Sequence, residues 1–136
     1  MNRFVLDASV AVAWCFEDEN STRADRILEL FTTASAIVPA IWPVEVGNAL
    51  LVGERRKRIK PAEVSQSLGL LCRLDIRVLA GEPRADVEDL IALARAEKLS
   101  VYDAAYLLLA MREGVPLATM DRTLEHSARR IGVQVL

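Results

Sequence analysis

At 136 residues the chain has the length of one domain, spanning 1–136, and can bury roughly two-thirds of its unfolded surface. Apolar residues make up 52% and charged residues 26%, with a net charge of −2, which describes a compact globule and argues against generic nucleic-acid affinity while leaving local patches open. No apolar run reaches the ~18 residues of a membrane span, and Phe4–Leu6 is too short for a secretory signal and meets Asp7 at once. Cys15 and Cys72 lack CxxC spacing and sit among apolar neighbours, so two buried free thiols in a reducing cytoplasm are expected.

In chain order, Arg3–Leu6 reads as a first strand flush against Asp7. Ala24, Ile27, Leu28 and Phe31 fall at helical spacing. Ala36-Ile37-Val38 is a short buried strand stopped by Pro39, and Pro43 opens a helix to about Glu54. Lys60-Pro61 starts another helix, with Val64, Leu68 and Leu71 on one face. A third strand covers Ile76–Leu79, and Val87, Leu90, Ile91 and Ala94 give the cleanest helical stripe. Ser100 caps an apolar helix to Arg112, which Gly114 ends. Pro116–Thr119 is a fourth strand, Arg122–Ile131 a last helix and Val133–Leu136 a final strand. This alternation predicts an α/β protein, a parallel sheet with helices on both faces, whose ligand site lies beyond the carboxyl ends of the strands.

Four acids stand at seams of that pattern. Asp7 and Asp121 follow strands, while Glu45 and Asp103 fall in the first turns of two helices. Each has a structural explanation: Asp7 and Asp121 as helix caps, Glu45 as an anion near a helix dipole, and Asp103 with Ser100 as a capping pair. The topology is expected to gather all four on one sheet edge, where each close pair would repel by roughly 4 kcal/mol at an effective dielectric near 20. Divalent cations are the natural compensation. Hard ions such as Mg²⁺ and Mn²⁺ suit carboxylate oxygens, and four carboxylates balance two of them in charge. Ser9, Asn48 and Thr119 lie within a few residues of the acids and are placed to orient them.

The set Asp7-Ala8-Ser9, Glu45-Val46-Gly47-Asn48, Tyr102 to Leu107 and Thr119-Met120-Asp121 resembles the PIN-domain nucleases, and more narrowly the VapC-type toxins of toxin–antitoxin pairs. The resemblance covers almost the whole chain, from Asp7 to Val135, with the motifs in the family's order. It implies a three-layer α/β/α sandwich around a central, mostly parallel sheet. It also implies a Mg²⁺- or Mn²⁺-dependent endoribonuclease held inactive by a cognate antitoxin, and a homodimer. Asp7, Glu45, Asp103 and Asp121 would form the metal site, Thr119 and Ser9 would support it, and Asn48 would line it. Leu124 stands where the family often has an aromatic residue.

The run Arg55-Arg56-Lys57-Arg58-Ile59-Lys60 is either a solvated helix end or a patch that holds RNA phosphates without reading sequence. Trp14, Phe16 and Trp42 read as core or interface, and Glu17-Asp18-Glu19 as an exposed rim. The only histidine, His126, falls on a solvated helix, which excludes a two-histidine ribonuclease, and no GxGxxG or Walker loop offers a phosphate cradle. The alternative function is a catalytically silent PIN-like module that binds RNA or protein. A receiver domain wants paired acids after the first strand and a late lysine, and a haloacid-dehalogenase-type phosphatase wants an acid where Ser9 stands.

Overall fold

The computed structural model describes residues 2–19, 21–81 and 83–136, and all but the side chain of Pro83 within them. The strands are β1 (Arg3–Leu6), β2 (Ser35–Pro39), β3 (Ile76–Leu79) and β4 (Leu117–Ala118). The helices are α1 (Ala8–Cys15), α2 (Thr22–Glu29), α3 (Trp42–Arg55), α4 (Pro61–Arg73), α5 (Pro83–Glu97), α6 (Val101–Glu113) and α7 (Arg122–Arg130). The strands form one sheet in the order β3-β2-β1-β4, with every pairing parallel. Helices flank it in two groups: α1 touches α2, α3 and α4, while α6 packs on β1, β2 and β4 and carries α5 and α7.

β1 shows why the sheet has a covered centre. Phe4, Val5 and Leu6 are all fully buried with no polar alternation, the signature of a strand packed on both faces. The same holds for Ala36, Ile37 and Val38 of β2. Local signals set the helix ends, at Ser100 and Gly114 as the sequence predicts and at Ser21 besides. The Ser21 and Ser100 side chains accept from the backbone N–H groups of Ala24 and Asp103, and Gly114 closes α6 with φ 62°. His126 is exposed, and Phe16 and Trp42 are buried.

Two expectations need correction. The final strand reduces to a single parallel bridge, Leu117 to Val135, because Gly132 turns through φ 88° and β4 offers only two residues to pair with. The apolar stripe over Val87–Ala94 forms a helix as expected, α5, and is only partly covered. Ala94 is buried, but Val87 and Ile91 are exposed, because α6 is the element that covers this helix. Both cysteines are free, but neither is buried: Cys15 is half-buried and Cys72 is exposed.

Gly53 in α3 shows how closely the first helical group is packed. A Cβ there would stand 2.4 Å from two carbons of the Phe16 ring, which is itself buried and cannot retreat. At Gly47, in the same helix, a Cβ would meet nothing within 4 Å. The ordinary helical gain of about 0.5–1 kcal/mol for glycine to alanine should therefore appear for Gly47→Ala. Gly53→Ala should instead lose about 1–3 kcal/mol through overpacking. Urea unfolding of the two variants checks the opposite signs.

Candidate metal centre

The sheet order reverses beside β1: the chain steps outward to β2 and β3, then returns to place β4 on the other flank. Such a switch point leaves a crevice at the carboxyl ends of the strands. Asp7 follows β1 directly, and its N–H donates to Ala118 O of β4 at 2.9 Å. Asp7 occupies the N-cap position of α1, yet its side chain caps no backbone N–H. Oδ2 accepts from Ser9 Oγ at 2.6 Å and from Thr119 Oγ1 at 2.7 Å instead. The two hydroxyls face each other at 3.4 Å, each with its proton given to Asp7. They also fasten the strand end behind them, since Ser9 Oγ accepts from Met120 N–H at 2.9 Å and Thr119 Oγ1 from Asp121 N–H at 3.0 Å.

Asp121 does act as a cap. Its Oδ1 accepts from Thr123 N–H at 2.9 Å and Leu124 N–H at 3.1 Å, which leaves Oδ2 without a cap partner. Glu45, in the first turn of α3, accepts from Tyr106 Oη at 2.7 Å. Tyr106 lies one turn after Asp103 on α6 and is fully buried, so α6 supplies both an acid and the donor that orients another acid. Asp7, Glu45, Asp103 and Asp121 line one cavity of about 550 Å³ together with Ser9, Met120 and Glu19. Asn48 does not line it. It is exposed, and Ala49, four residues after Glu45, takes the wall position. Two contributors carried no site signal in the sequence: Tyr106, which looks like core among its apolar neighbours, and Glu19, which reaches the cavity from a different segment.

The acids affect one another. Burial pushes the Asp7 carboxyl up from 3.8 to about 6, against the pull of the Ser9 and Thr119 hydroxyls and with the nearby charges of Asp103 and Glu45 adding to the rise. Asp103 is also raised, by burial first and then by Asp121 and Glu45. The Tyr106 phenol is pushed far up by burial and by Glu45, so it remains a proton donor. An all-oxygen set of four carboxylates suits a hard divalent cation. As placed, no three acidic, histidine or cysteine side chains among the described residues are gathered closely enough to hold one ion. The donor chemistry fits the metal, and the carboxylates of Asp7 and Glu45 are already oriented by neighbours. A second cavity of about 400 Å³, between α5, α6 and the ends of β2 and β3, is mostly apolar, with Asp86, Arg112 and Glu113 as its charged lining.

A family model, the PIN domain, matches residues 4–130. The chain belongs to the PIN-domain family. Ribonuclease VapC3 of Pyrobaculum aerophilum is 33% identical over 123 residues, covering 90% of this chain and 92% of the relative. That match sets this PIN domain with the VapC-type members. Among solved structures, a Pyrobaculum aerophilum crystal structure superposes with a TM-score of 0.74 at 23% identity, covering 98% of this chain and 89% of the other. A toxin–antitoxin complex from Klebsiella pneumoniae superposes at 0.59 with 17% identity, over 89% and 87% of the two chains. At those identities the likeness is one of fold.

The raised carboxyl of Asp7 makes metal-free stability pH-dependent. Between about pH 4 and 6 the folded chain keeps a proton that the unfolded chain has released. This group's contribution is therefore full below pH 4 and is lost as the pH climbs through 6. Asp7→Asn keeps an oxygen for the two hydroxyls and removes the charge. In EDTA the variant should gain on the parent as pH rises from 4 to 7, levelling at roughly 3 kcal/mol. A stability difference that stays flat across that range would assign Asp7 an ordinary carboxyl.

Proposed function

We propose that this PIN domain is a Mg²⁺- or Mn²⁺-dependent endoribonuclease toxin neutralised by a cognate antitoxin. The observation that carries the reading is Asp7: a buried carboxylate in a capping position that serves no cap and instead faces a cavity shared with Glu45, Asp103 and Asp121. A fold alone does not imply activity, so the reading rests on that site within a PIN fold, with the VapC3 ribonuclease as a relative. Asp7, Glu45, Asp103 and Asp121 would hold the cation, which when bound supplies an acidified water and a Lewis acid for phosphodiester hydrolysis. The chain's own residues prepare that site. Ser9 and Thr119 fix the Asp7 carboxylate, Tyr106 fixes Glu45, and the backbone N–H groups of Thr123 and Leu124 fix Asp121.

RNA phosphates would meet positive charge on the turn between α3 and α4, where Arg55, Arg56, Lys57 and Arg58 are all exposed. The fold shared with a chain of a toxin–antitoxin complex supports an antitoxin as partner. Val87 and Ile91 on α5 and Val101 and Tyr102 on α6 are exposed apolar side chains that the proposed homodimer could cover. No helix among the described residues is long and apolar enough to cross a membrane, and the cytoplasm is the proposed location. One observation favours a second reading, a silent RNA- or protein-binding module: the acids line the cavity walls without converging on one point.

Cleavage of total cellular RNA by the purified chain decides between the two readings. Discrete fragments should form in Mn²⁺ or Mg²⁺ and disappear in EDTA, and Asp103→Asn should lose at least about 100-fold in rate while staying folded. Folded, antitoxin-free protein that cuts nothing with either metal leaves the binding module as the reading. Calorimetry tests the preparation of the site separately. Tyr106→Phe should weaken Mn²⁺ binding by about 10- to 100-fold, as loss of an orienting partner does. Unaltered Mn²⁺ affinity would make Tyr106 a core residue only.

A further inference from the structure

Of the run Arg55 to Lys60, Arg58 alone makes ion pairs among the described residues. Its Nη2 donates to Asp18 at 3.0 and 3.2 Å and to Glu19 at 3.1 Å. All three bonds leave from one nitrogen, so Nε and Nη1 meet no protein acceptor among the described residues. The guanidinium lies over the Phe16 ring, 4.4 Å from its centroid. That platform is rigid, since Phe16 is buried and closed in by Gly53.

The backbone aims Arg58 there independently of the acids. Lys57 takes φ 59°, Arg58 N–H reaches back to Gly53 O at 2.8 Å, and Lys57 N–H reaches Glu54 O at 3.0 Å. This is a Schellman turn with lysine where glycine is usual. Glu19, the far partner of the pair, lines the acidic cavity. Arg58 thus stands one ion-pair length from the cavity wall, half of its donor fork unused, on a support that does not depend on Asp18 or Glu19.

We propose that Arg58 is a phosphate contact of the RNA track, and that Asp18 and Glu19 occupy its guanidinium as built-in competitors until a backbone phosphate displaces them. The proposal rests on the RNA-binding part of the function proposed above and not on cleavage. A guanidinium exchanges carboxylate for phosphate without losing its charge-assisted bonds. The acids are well placed to yield, because all three side chains are exposed to screening solvent. The pair therefore sets substrate affinity from the lip of the cavity.

A mutant cycle in the Asp103→Asn background, in EDTA, tests this by anisotropy of a labelled single-stranded RNA across a salt series. Asp18→Asn with Glu19→Gln should tighten binding roughly 3- to 10-fold, and should steepen the salt slope by about 0.7. Both gains should vanish when Arg58→Ala is added, which removes the cation for which acids and phosphate compete. Gains that survive intact without Arg58 would mean general repulsion of RNA by the acids, and would overturn the proposal. So would the absence of any gain, or a parent that binds no RNA at low salt. The cycle and the cleavage assay are separable: a coupled cycle in a chain that cuts nothing sinks only the nuclease, and cleavage with an additive cycle sinks only this competition.

Discussion

A carboxylate buried at the reversal point of a parallel sheet is the constraint on which the site depends. Asp7 is only 4% exposed and its neighbours in the crevice are more carboxylates. A charge in that position is costly unless it is hydrogen-bonded and opposed by positive charge. The chain meets the first requirement with two hydroxyls, Ser9 and Thr119, drawn from opposite sides of the crevice. The second is not met around Asp7 and Asp103, where the charges that act on each are those of neighbouring carboxylates. Unrelieved repulsion of this kind is the usual mark of a functional site, where stability is given up for chemistry.

The same hydroxyls do more than soothe a charge. Ser9 receives Met120 N–H and Thr119 receives Asp121 N–H, so the bonds that hold Asp7 also fix the backbone that leads into α7. Asp121 in turn holds the first turn of that helix. Position of one acid and position of another are therefore not independent variables. A substitution at Thr119 would disturb Asp7, Asp121 and the start of α7 together, and its effects would not add to those of its neighbours.

Much of this was legible from residues alone, for identifiable reasons. Asp7 and Asp121 follow short apolar runs that are strands on any reading, and a parallel sheet has only one edge where strand ends meet acids. Ser100 and Gly114 are local signals whose physics does not depend on the rest of the fold. Legibility failed where a face had to be chosen without its partner. Asn48 and Ala49 are both about one turn from Glu45, and only the packing of α3 selects Ala49 for the cavity wall. Tyr106 differs from a core residue by one hydroxyl, and nothing local says that Glu45, 61 residues away, will receive it. The stripe on α5 is periodic enough to mark a helix, but which of its residues are covered depends on its packing against α6. Glu19 and Arg58 read as rim and basic patch because their pairing spans 39 residues. Each failure concerns a tertiary contact that a periodicity cannot encode.

The pairing of β4 beside β1 has a temporal side. β1 is made first and lies inside the sheet, but its outer neighbour comes more than a hundred residues later, and the Thr119 hydroxyl that secures Asp7 is 112 residues from it. Contacts of such sequence separation are slow to form because a long loop must close before they reward the chain. On a ribosome, the early strands and helices can collapse while Asp121 is still unmade and Asp7 lacks half of its support. The crevice is thus completed only after β4 and Thr119 have emerged. A nascent copy therefore holds Asp7 by Ser9 alone until Thr119 has been made.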